Sequence, residues 1–343
     1  MNAEAVQDEM NRPAECPVCH SRQLSFFGRG RDRLFGLTPG TFLLLECRSC
    51  GCVCQSPVPD PSAISGFYPD EYWWSDVTPS RDGLATLLHG MERAYREFVT
   101  LDHVRFVRQG IVARGGCALL DIGCGSGTFI HLAALQGFAA YGMDISDRAV
   151  TAARESYGLP VEQGDIGSPV WAGRKFDIVT MFHVLEHLPD PGIAIDYAAS
   201  LLGRDGSLVL QVPNVRSLQA RLFRSRWYGL DVPRHIVNFA PRSLEILLAE
   251  RGFRIVRRSR FSLRDDPPAL ASSLVPRLDP MGRRGRGEHT PWRNALAEAA
   301  YFALVAGALP LALAEGLAGR GATLMVEAKR GDSGDCHRDA SSC

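Results

Sequence analysis

Residues 119–127 read Leu-Leu-Asp-Ile-Gly-Cys-Gly-Ser-Gly, an apolar run that ends in an acid and three alternating glycines. An apolar strand must stop at these glycines, and the chain must turn tightly enough there for a ligand to contact backbone atoms. Asp144 ends the next strand-like run, and its distance from Asp121 suits one helix and one return strand of a βαβ unit. The stretch therefore predicts a Rossmann-like α/β sheet that binds a nucleoside.

The spacing of the glycines separates two classes of nucleoside site. A nicotinamide or flavin fingerprint has the form Gly-x-Gly-x-x-Gly, whereas Gly123, Gly125 and Gly127 follow Gly-x-Gly-x-Gly. Asp121 would also repel a pyrophosphate and attract a ligand ammonium, so a cationic ligand fits better than an anionic one. The stretch resembles motif I of the class I S-adenosylmethionine-dependent methyltransferases. The alternative is a glycine-rich turn in an ordinary α/β fold.

The resemblance extends from about residue 117 to about residue 260. Asp144 resembles the acid that holds both ribose hydroxyls of the cofactor, and Asp165 with Ile166 resembles the pair that frames the adenine. The resemblance implies S-adenosyl-L-methionine as the cofactor and methyl transfer as the reaction. The implied cofactor-binding residues are Asp121, Gly123, Cys124, Gly125, Gly127, Asp144, Ile145, Asp165, Ile166 and Phe182.

Further apolar runs supply the rest of the sheet. Phe176–Phe182 is a continuous β-rich run, as expected for a central strand that is buried on both faces. Ser207–Val212 follows a turn as the fifth strand, and later strands are expected near Phe253–Arg260 and Thr323–Ala328, the last one antiparallel. We therefore expect a Rossmann-like, seven-stranded, mostly parallel sheet with helices on both faces.

Cysteines near the N-terminus predict a small zinc ribbon. Two Cys-x-x-Cys turns, at 16–19 and 47–50, are joined by strand-like segments, and four thiolates from two such turns can enclose a structural Zn²⁺. Cys52 or Cys54 is an alternative to Cys50. A disulfide pair or a thioredoxin-type motif does not suit a chain without the matching secretory or strand–helix pattern. The expected zinc ligands are Cys16, Cys19, Cys47 and Cys50.

Length and composition limit the function. The chain has 343 residues, 45% of them apolar, and a formal net charge of zero, so no overall field draws it to nucleic acid. Its first residues are polar, so we expect no signal peptide and a cytoplasmic protein. The expected organisation is a disordered tail at 1–14, a zinc-ribbon-like module at 15–60, a linker and N-terminal helices at 61–116, the cofactor-binding domain at 117–330 with a mobile loop near 265–292, and a disordered tail at 331–343.

The first candidate catalytic segment follows the fourth strand, where ligands of open parallel sheets bind. His183, Glu186 and His187 lie within five residues, and in the first turn of a helix they would share one face. The segment resembles motif IV of a subgroup that includes ubiquinone-pathway O-methyltransferases, in which an acid–x–x–Glu-His run binds a divalent cation. His183 occupies the position of the first acid. Two hypotheses remain: a cation at the His183/Glu186/His187 cluster, or contact of His183 with the cofactor.

The second candidate segment contains Asp231-Val-Pro-Arg234-His235. Similar Asp-x-Pro-Arg-His segments recur in the same methyltransferase subgroup. One interpretation is a helix-entry turn in which His235 caps a backbone carbonyl. The other is a substrate-facing His235, with Arg234 holding a carboxylate or phosphate of the acceptor. A neutral histidine can remove a proton near pH 7, so we expect His187 or His235 to be the base and the other to orient the acceptor.

Three flanking segments have less specific patterns. The aromatic run Gly66–Trp74 predicts packing between the two units, with its tyrosines as pocket candidates. Residues 84–112 predict an amphipathic helix with His103 near its polar side. The apolar run Ala299–Ala314 predicts a buried helix against the sheet, and peripheral contact with the inner face of a membrane is the alternative.

Taken together, the resemblances imply an enzyme that methylates a small-molecule acceptor, by O-methylation of a phenol, quinone precursor, lipid-like or sugar substrate. Two alternatives remain. The zinc ribbon is similar to that of sugar C-methyltransferases, which favours C-methylation of a nucleotide-linked sugar. A non-catalytic docking protein that retains the fold is the other. Arginines and phenylalanines at 21–46 would suit nucleic acid, but the Asn/Asp-Pro-Pro-Tyr run of enzymes that methylate bases is missing.

Overall fold

The computed structural model describes residues 15–68, 83–110, 116–286 and 291–331. The expected terminal tails, except Gly331, and the aromatic residues that follow Tyr68 lie outside these ranges. The strands are β1 Leu24–Gly30, β2 Phe42–Cys47, β3 Val53–Ser56, β4 Ala118–Ile122, β5 Ala139–Asp144, β6 Val161–Gln163, β7 Phe176–Phe182, β8 Leu202–Pro213, β9 Val237–Asn238, β10 Phe253–Ser259 and β11 Thr323–Arg330. The α-helices are α1 Pro61–Ile64, α2 Gly83–Gln109, α3 Thr128–Leu135, α4 Asp147–Tyr157, α5 Pro191–Leu201, α6 Leu218–Phe223, α7 Pro241–Ala249, α8 Asp266–Leu274, α9 Pro280–Gly285 and α10 Pro291–Leu317.

The larger sheet of the described residues has seven strands in the order β10-β11-β8-β7-β4-β5-β6. β4 pairs in parallel with both β5 and β7, and β11 runs antiparallel between β8 and β10. This confirms the predicted Rossmann-like α/β fold and its antiparallel last strand. The strand order reverses beside β4, so the carboxyl ends of β4 and β7 flank the crevice in which open sheets bind ligands.

Two apolar cores lie on opposite faces of this sheet, because side chains along a strand alternate in direction. Leu120 and Ile122 of β4 belong to the core formed with α5 and α7, whereas Leu119 belongs to the core formed with α2 and α3. All three side chains are at most 2% exposed. The continuous apolar run of β4 is therefore explained by helices that cover both sides of a central strand.

The chain leaves β4 through a turn that requires glycine. Gly123, Gly125 and Gly127 have φ values of 77°, 52° and 82°. A Cβ atom at Gly123 would lie 2.6 Å from Cγ2 of Val184, and one at Gly127 would lie 2.9 Å from Cβ of Ala153. Conformation and space therefore both exclude larger residues at these two positions. Gly127 then caps α3, whose first turn lies at the crevice.

A second sheet joins the N-terminal module to the main domain. β1, β2 and β3 are antiparallel, and β9 completes this sheet of four strands within the described residues. Val53 pairs with Asn238, and Cys54 pairs with Val237. The segment that carries His235 is thus fixed by hydrogen bonds to the N-terminal module. The sequence did not predict this pairing, because a strand of two residues has no periodic pattern.

The expected mobile loop near 265–292 is wrong for the residues that the structure describes. This segment contains α8 and α9, whose prolines stand in the first helical turns, where a missing N–H has no cost. The prolines in this segment therefore indicate where helices begin and do not indicate a loop. Asp266 and Ala271 of α8 are fully buried, so the segment is part of the packed domain.

Helix α10 is continuous, although Pro310 lies inside it. Tyr301 and Val305 pack against Ala271 of α8. Only 22% of the most apolar stretch of the helix is buried, so the expectation of a helix buried against the sheet is wrong. Among the described helices, Arg293–Leu317 is the one that is long and apolar enough to cross a membrane, on length and composition alone.

Candidate active site

A cavity of about 590 Å³ opens at the carboxyl ends of β4 and β7, a volume typical of small-molecule sites. Its wall contains half of the predicted cofactor-binding residues and all three predicted catalytic histidines. These are Asp121, Gly123, Cys124, Gly125, Phe182, His183, His187 and His235. The structure therefore brings the glycine turn and the histidines, which are distant in sequence, to one cavity.

Asp121 is the buried acid of this cavity, with 3% of its surface exposed. Its Oδ1 accepts a hydrogen bond of 2.5 Å from the hydroxyl of Thr180. Burial raises the pKa of Asp121 to about 7, although the Thr180 hydroxyl acts in the opposite direction. A cationic group in the cavity would favour the carboxylate form, as the sequence argument requires.

Asp144 lies beside the cavity rather than in its wall. It is 2% exposed, and its carboxylate accepts hydrogen bonds of 2.8 Å and 2.9 Å from the backbone N–H groups of Gly125 and Ser146. Burial raises the pKa of Asp144, and these N–H groups oppose the rise. The contact with Gly125 ties the acid at the end of β5 to the glycine turn.

Three predicted cofactor-binding residues lie near the ends of β5 and β6: Ile145, and the pair Asp165 and Ile166 that was predicted to frame the adenine. Ile145 is 59% exposed, Asp165 is exposed, and Ile166 packs against the core. An exposed isoleucine beside a buried carboxylate fits a subsite for a base and its ribose, because the base would cover the apolar side chain. With the close backbone approach at the glycine turn and the buried acid of β4, these residues fit S-adenosylmethionine.

His183 is held between two carboxylates. Its Nδ1 lies 3.0 Å from Oε1 of Glu186, and its Nε2 lies 3.4 Å from Oδ1 of Asp265. Burial lowers the pKa of His183, but Asp265 and Glu186 outweigh that effect and raise the pKa to about 10. Nε2 of Gln211 contacts both His183 and Asp265, at 2.9 Å and 2.6 Å. These contacts suit a positioning role better than proton transfer.

The residues that the structure brings together as a candidate cation site differ from the predicted set in one residue. The ligand atoms of Glu186, His187 and His235 all lie within 4.8 Å of one another, so His235 takes the place of His183. The three predicted residues do not share a helical face, because Leu185–His187 is a 3₁₀ turn and His183 precedes it with a φ of 57°. Oε2 of Glu186 is buried and has no hydrogen-bond partner among the described residues, as expected of an acceptor available to a cation.

His235 and His187 form a pair with fixed geometry. Nδ1 of His235 lies 2.8 Å from the carbonyl oxygen of Gly229, which can only accept, so Nε2 is the unprotonated nitrogen of the neutral ring. The two imidazoles meet edge to face, with centroids 4.7 Å apart. Nδ1 of His187 lies 2.9 Å from the hydroxyl of Tyr68 and 3.2 Å from the carbonyl of Arg234. Burial lowers the pKa of His187 to about 4, so this ring is neutral near pH 7.

Arg234 does not face the acceptor, so the expectation that it binds a carboxylate or phosphate there is wrong. It is fully buried, and both oxygens of Asp231 accept from it, at 2.6 Å and 2.9 Å. It also donates to Oδ1 of Asp32 at 2.9 Å and to the carbonyl of Phe67 at 3.0 Å. The guanidinium therefore joins the N-terminal module to the segment that carries His235.

His103 was expected near the polar side of its helix, but it is fully buried. Its ring packs edge to face against Phe182, with centroids 4.8 Å apart. Burial lowers its pKa to about 3, and neither ring nitrogen has a hydrogen-bond partner in the described part of the chain. His103 therefore acts as a neutral packing residue behind the cavity.

The predicted zinc ligands converge. The sulfur atoms of Cys16, Cys19, Cys47 and Cys50 lie within 4.8 Å of one another. Two of the pairs, Cys16 with Cys50 and Cys19 with Cys47, are 3.6 Å apart. A tetrahedron with Zn–S bonds of about 2.3 Å has sulfur atoms about 3.8 Å apart, so the four thiols fit zinc.

The two alternative cysteines have different surroundings. Sγ of Cys52 lies 3.3 Å from Sγ of Cys16, beside the four-cysteine group. Cys54 packs with Leu43 and Leu45 instead, and burial raises its pKa to about 12. Cys54 is therefore a packing thiol, and Cys52 is the neighbour that could exchange with a ligand.

Sequence reasoning missed several residues of the site. Asp265 holds His183 and accepts from Gln211, Asp32 holds Arg234, and Trp227 lines the cavity. Asp265 falls in the segment that was expected to be a loop. The acids that precede a pair of prolines could have indicated a helix start there.

Known proteins are similar to this chain over its central part. A family model described as a methyltransferase domain matches residues 89–258. The ubiquinone biosynthesis O-methyltransferase of Aromatoleum aromaticum is 33% identical over 175 residues, which cover 48% of this chain and 67% of that protein. The protein of the same name from Coxiella burnetii is 26% identical over 144 residues, which cover 40% of this chain and 58% of that protein. The chain thus spans less than two thirds of the Coxiella relative.

A solved structure of the magnesium protoporphyrin IX methyltransferase of Synechocystis, with bound SAH, aligns with 74% of this chain and 90% of that chain, at 17% identity and a TM-score of 0.43. The region matched by the family model begins in α2 and ends in β10. It contains the glycine turn, the reversal of strand order and both histidine segments. The chain therefore belongs to the class I S-adenosylmethionine-dependent methyltransferases.

Proposed function

We propose that the protein transfers a methyl group from S-adenosylmethionine to a hydroxyl oxygen of a small-molecule acceptor bound in the 590 Å³ cavity. One observation carries this proposal: the glycine turn and the His187–His235 pair line the same cavity. The name of the relatives, ubiquinone biosynthesis O-methyltransferase, supports an aromatic or quinone-type acceptor.

The protein has two tasks in such a reaction. When bound, the cofactor would supply a methyl group attached to a sulfonium sulfur, and this sulfur becomes a neutral thioether when the methyl group is transferred. Catalysis then consists of aligning the acceptor oxygen with that methyl group and removing one proton from the acceptor. We assign the binding of the cofactor to the glycine turn and to Asp121 and Asp144, and proton removal to a histidine.

His235 is our candidate for the base. The Gly229 carbonyl fixes its proton on Nδ1, so the neutral ring offers a lone pair on Nε2. His187 is a poorer candidate, because burial lowers its pKa to about 4, and we assign it to orienting the acceptor. His183 is held by Glu186 and Asp265, and we assign it to positioning Glu186.

A divalent cation at Glu186, His187 and His235 is the alternative. The unpartnered Oε2 of Glu186 favours it, and a cation there would act as a Lewis acid on the acceptor oxygen. The two hypotheses exclude each other for His235, because a nitrogen that binds a metal cannot accept a proton. They also predict different metal requirements.

The test is a methyl-transfer assay on the zinc-loaded protein with phenols, catechols, quinols and nucleotide-linked sugars as acceptors. His235→Gln should lower kcat by about 10²- to 10⁴-fold and leave the affinity for S-adenosylmethionine unchanged. His131→Gln is the matched control, since His131 stacks on Tyr157 outside the cavity. Full activity of His235→Gln would reject the base.

The same assay separates the remaining alternatives. Activity that requires added Mg²⁺ or Mn²⁺, and that is lost equally in Glu186→Gln, His187→Gln and His235→Gln, would establish the cation. A methylated carbon in the product of a nucleotide-linked sugar would establish C-methylation. A folded, zinc-loaded protein that binds no S-adenosylmethionine would favour the docking protein.

A further inference from the structure

A cleft lined by arginines adjoins the large cavity. Arg31 and Arg33 come from the N-terminal module, and Arg226 comes from the segment after α6. Trp227 and Asp231 line both the cleft and the cavity. A ligand in the cleft would therefore be continuous with a ligand beside the predicted catalytic histidines.

Among the residues that the structure describes, these three guanidinium groups have no acidic partner. None of them forms an ion pair within 4.0 Å with a residue that the structure describes. Arg33 donates to the backbone carbonyl of Arg226, so the Arg33 guanidinium lies against the chain at Arg226. Burial and the charge of Arg226 both lower the pKa of Arg33. Such like charges oppose each other until an anion binds between them.

The carboxylates in the wall of the cleft are already occupied. Both oxygens of Asp231 accept from Arg234. Oδ1 of Asp279 accepts from the N–H of Gly282 at 2.9 Å, and Oδ2 accepts from the hydroxyl of Ser272 at 2.6 Å. Within the described part of the chain, neither acid forms an ion pair with Arg31, Arg33 or Arg226, so no carboxylate of the wall occupies these guanidinium groups.

Trp227 supplies a second, independent observation. Its side chain is 3% exposed, and its indole N–H has no acceptor among the described residues. A buried donor without a partner loses its hydrogen bonds to water and gains none in return, so native proteins rarely leave one. Because Trp227 lines both the cleft and the cavity, an anionic oxygen bound beside it is a candidate for the acceptor that this donor lacks.

We propose that this cleft is a subsite for a phosphate or pyrophosphate group carried by the methyl acceptor. Guanidinium groups bind phosphate oxygens through two parallel hydrogen bonds, and the adjoining cavity would hold the end of the acceptor that receives the methyl group. The inference rests on the proposed function and narrows its substrate class. A nucleotide-linked sugar and a lipid-linked diphosphate share this chemistry.

Calorimetry on the full-length, zinc-loaded protein tests the subsite, with inorganic pyrophosphate, uridine diphosphate and farnesyl diphosphate as probes. Arg33→Ala combined with Arg226→Ala should weaken pyrophosphate binding at least tenfold. Arg221→Ala is the matched control, because Arg221 is exposed in the same basic segment but does not line the cleft. In the wild type, the indole N–H resonance assigned by Trp227→Phe should shift when pyrophosphate binds.

The outcomes separate the sources of the phosphate and the two proposals. Tighter binding of uridine diphosphate than of pyrophosphate indicates a nucleotide-linked acceptor, and tighter binding of farnesyl diphosphate indicates a lipid-linked one. No binding of any probe, or equal losses in the control, overturns the subsite. Tighter binding of a thymidine oligomer than of every diphosphate also overturns the subsite. S-adenosylmethionine titrated into the same samples reports on the proposed function separately.

Discussion

Oδ1 of Asp32 lies 2.9 Å from Nη2 of Arg234, although 202 residues separate the two in sequence. Asp32 belongs to the N-terminal module, and Arg234 precedes the candidate base. The carbonyl of Arg234 lies 3.2 Å from Nδ1 of His187. A buried arginine therefore connects the module to the candidate catalytic histidines, in addition to the pairing of β3 with β9.

Asp32→Asn should destabilise the protein by about 1.5–3 kcal/mol, the value of a hydrogen bond to a charged group, because Arg234 keeps Asp231 as a partner. Glu46→Gln is the matched control. Glu46 pairs with Arg216 across the same two units, but that pair is partly exposed and should contribute about 0–1 kcal/mol. Urea denaturation measures both values. Equal losses of stability in the two variants would show that the contact between Asp32 and Arg234 is not the main link between the two units.

Asp144→Ala should weaken the binding of S-adenosylmethionine at least tenfold, or about 1.4 kcal/mol, because the implied ribose ligand is removed. Calorimetry measures the affinity. Asp147→Ala is the control, since Asp147 lies exposed in the first turn of α4, three residues further along. If both variants bind like the wild type, Asp144 has no part in the cofactor site.

The affinity for S-adenosylmethionine should fall as the pH falls through about 7. In the proposed site the carboxylate of Asp121 would attract the ammonium of the cofactor, and burial raises the pKa of this acid to about 7. Between pH 8 and pH 6 its ionised fraction falls about tenfold, and the affinity should follow. Asp121→Asn should bind weakly at both pH values. A wild-type affinity that is independent of pH would contradict the prediction.

Asp121 should also make the stability of the protein depend on pH, and its raised pKa fixes the direction of that dependence. Its pKa in the folded protein lies above the ordinary value of about 3.9, so the unfolded chain loses this proton first, and Asp121 destabilises the fold increasingly as the pH rises from about 4 to about 7. Asp121→Asn should therefore raise Tm at pH 8 and have little effect at pH 4. Thermal unfolding at the two pH values measures this difference.

The protein should contain one zinc per chain, and Cys19→Ser should lower the zinc content, as measured by elemental analysis. Cys54→Ser is the control, because Cys54 packs against leucines away from the cluster. Cys52→Ser should also retain the metal, since four other thiols fit the tetrahedron. Loss of zinc in Cys52→Ser and its retention in Cys50→Ser would show that Cys52, and not Cys50, is the fourth zinc ligand.

We propose that the exposed face of α10 contacts an anionic membrane surface. Leu311 and Leu317 are 66% and 89% exposed, and replacing both with Glu should reduce cosedimentation with phosphatidylglycerol vesicles. Leu135→Glu is the control, because Leu135 is 67% exposed on α3. Failure of the wild type to bind these vesicles at low salt would reject the membrane contact.

The sequence predicted the structure best at positions that only one residue type can occupy. The glycines after β4, the strand-end acids and the two Cys-x-x-Cys turns have this property, and the sheet and the cysteine cluster followed from them. The site was harder, because its contacts join distant segments. Nothing near His183 in sequence indicated that Asp265 would hold it, and nothing near Glu186 indicated that His235, 49 residues later, would lie beside it. Arg234 was misassigned because a buried arginine and a substrate-binding arginine have the same sequence pattern.

The pairing of β3 with β9 has a consequence for how the molecule can come apart. A ribbon tethered by a linker could unfold, or be removed, without effect on the rest of the chain. Here the last strand of the ribbon sheet belongs to the segment that carries His235, so neither part has a complete hydrogen-bonded edge by itself. If the four cysteines hold zinc, its chelation should therefore disturb the segment that carries His235, and excision of the first 56 residues should remove the strand that pairs with this segment.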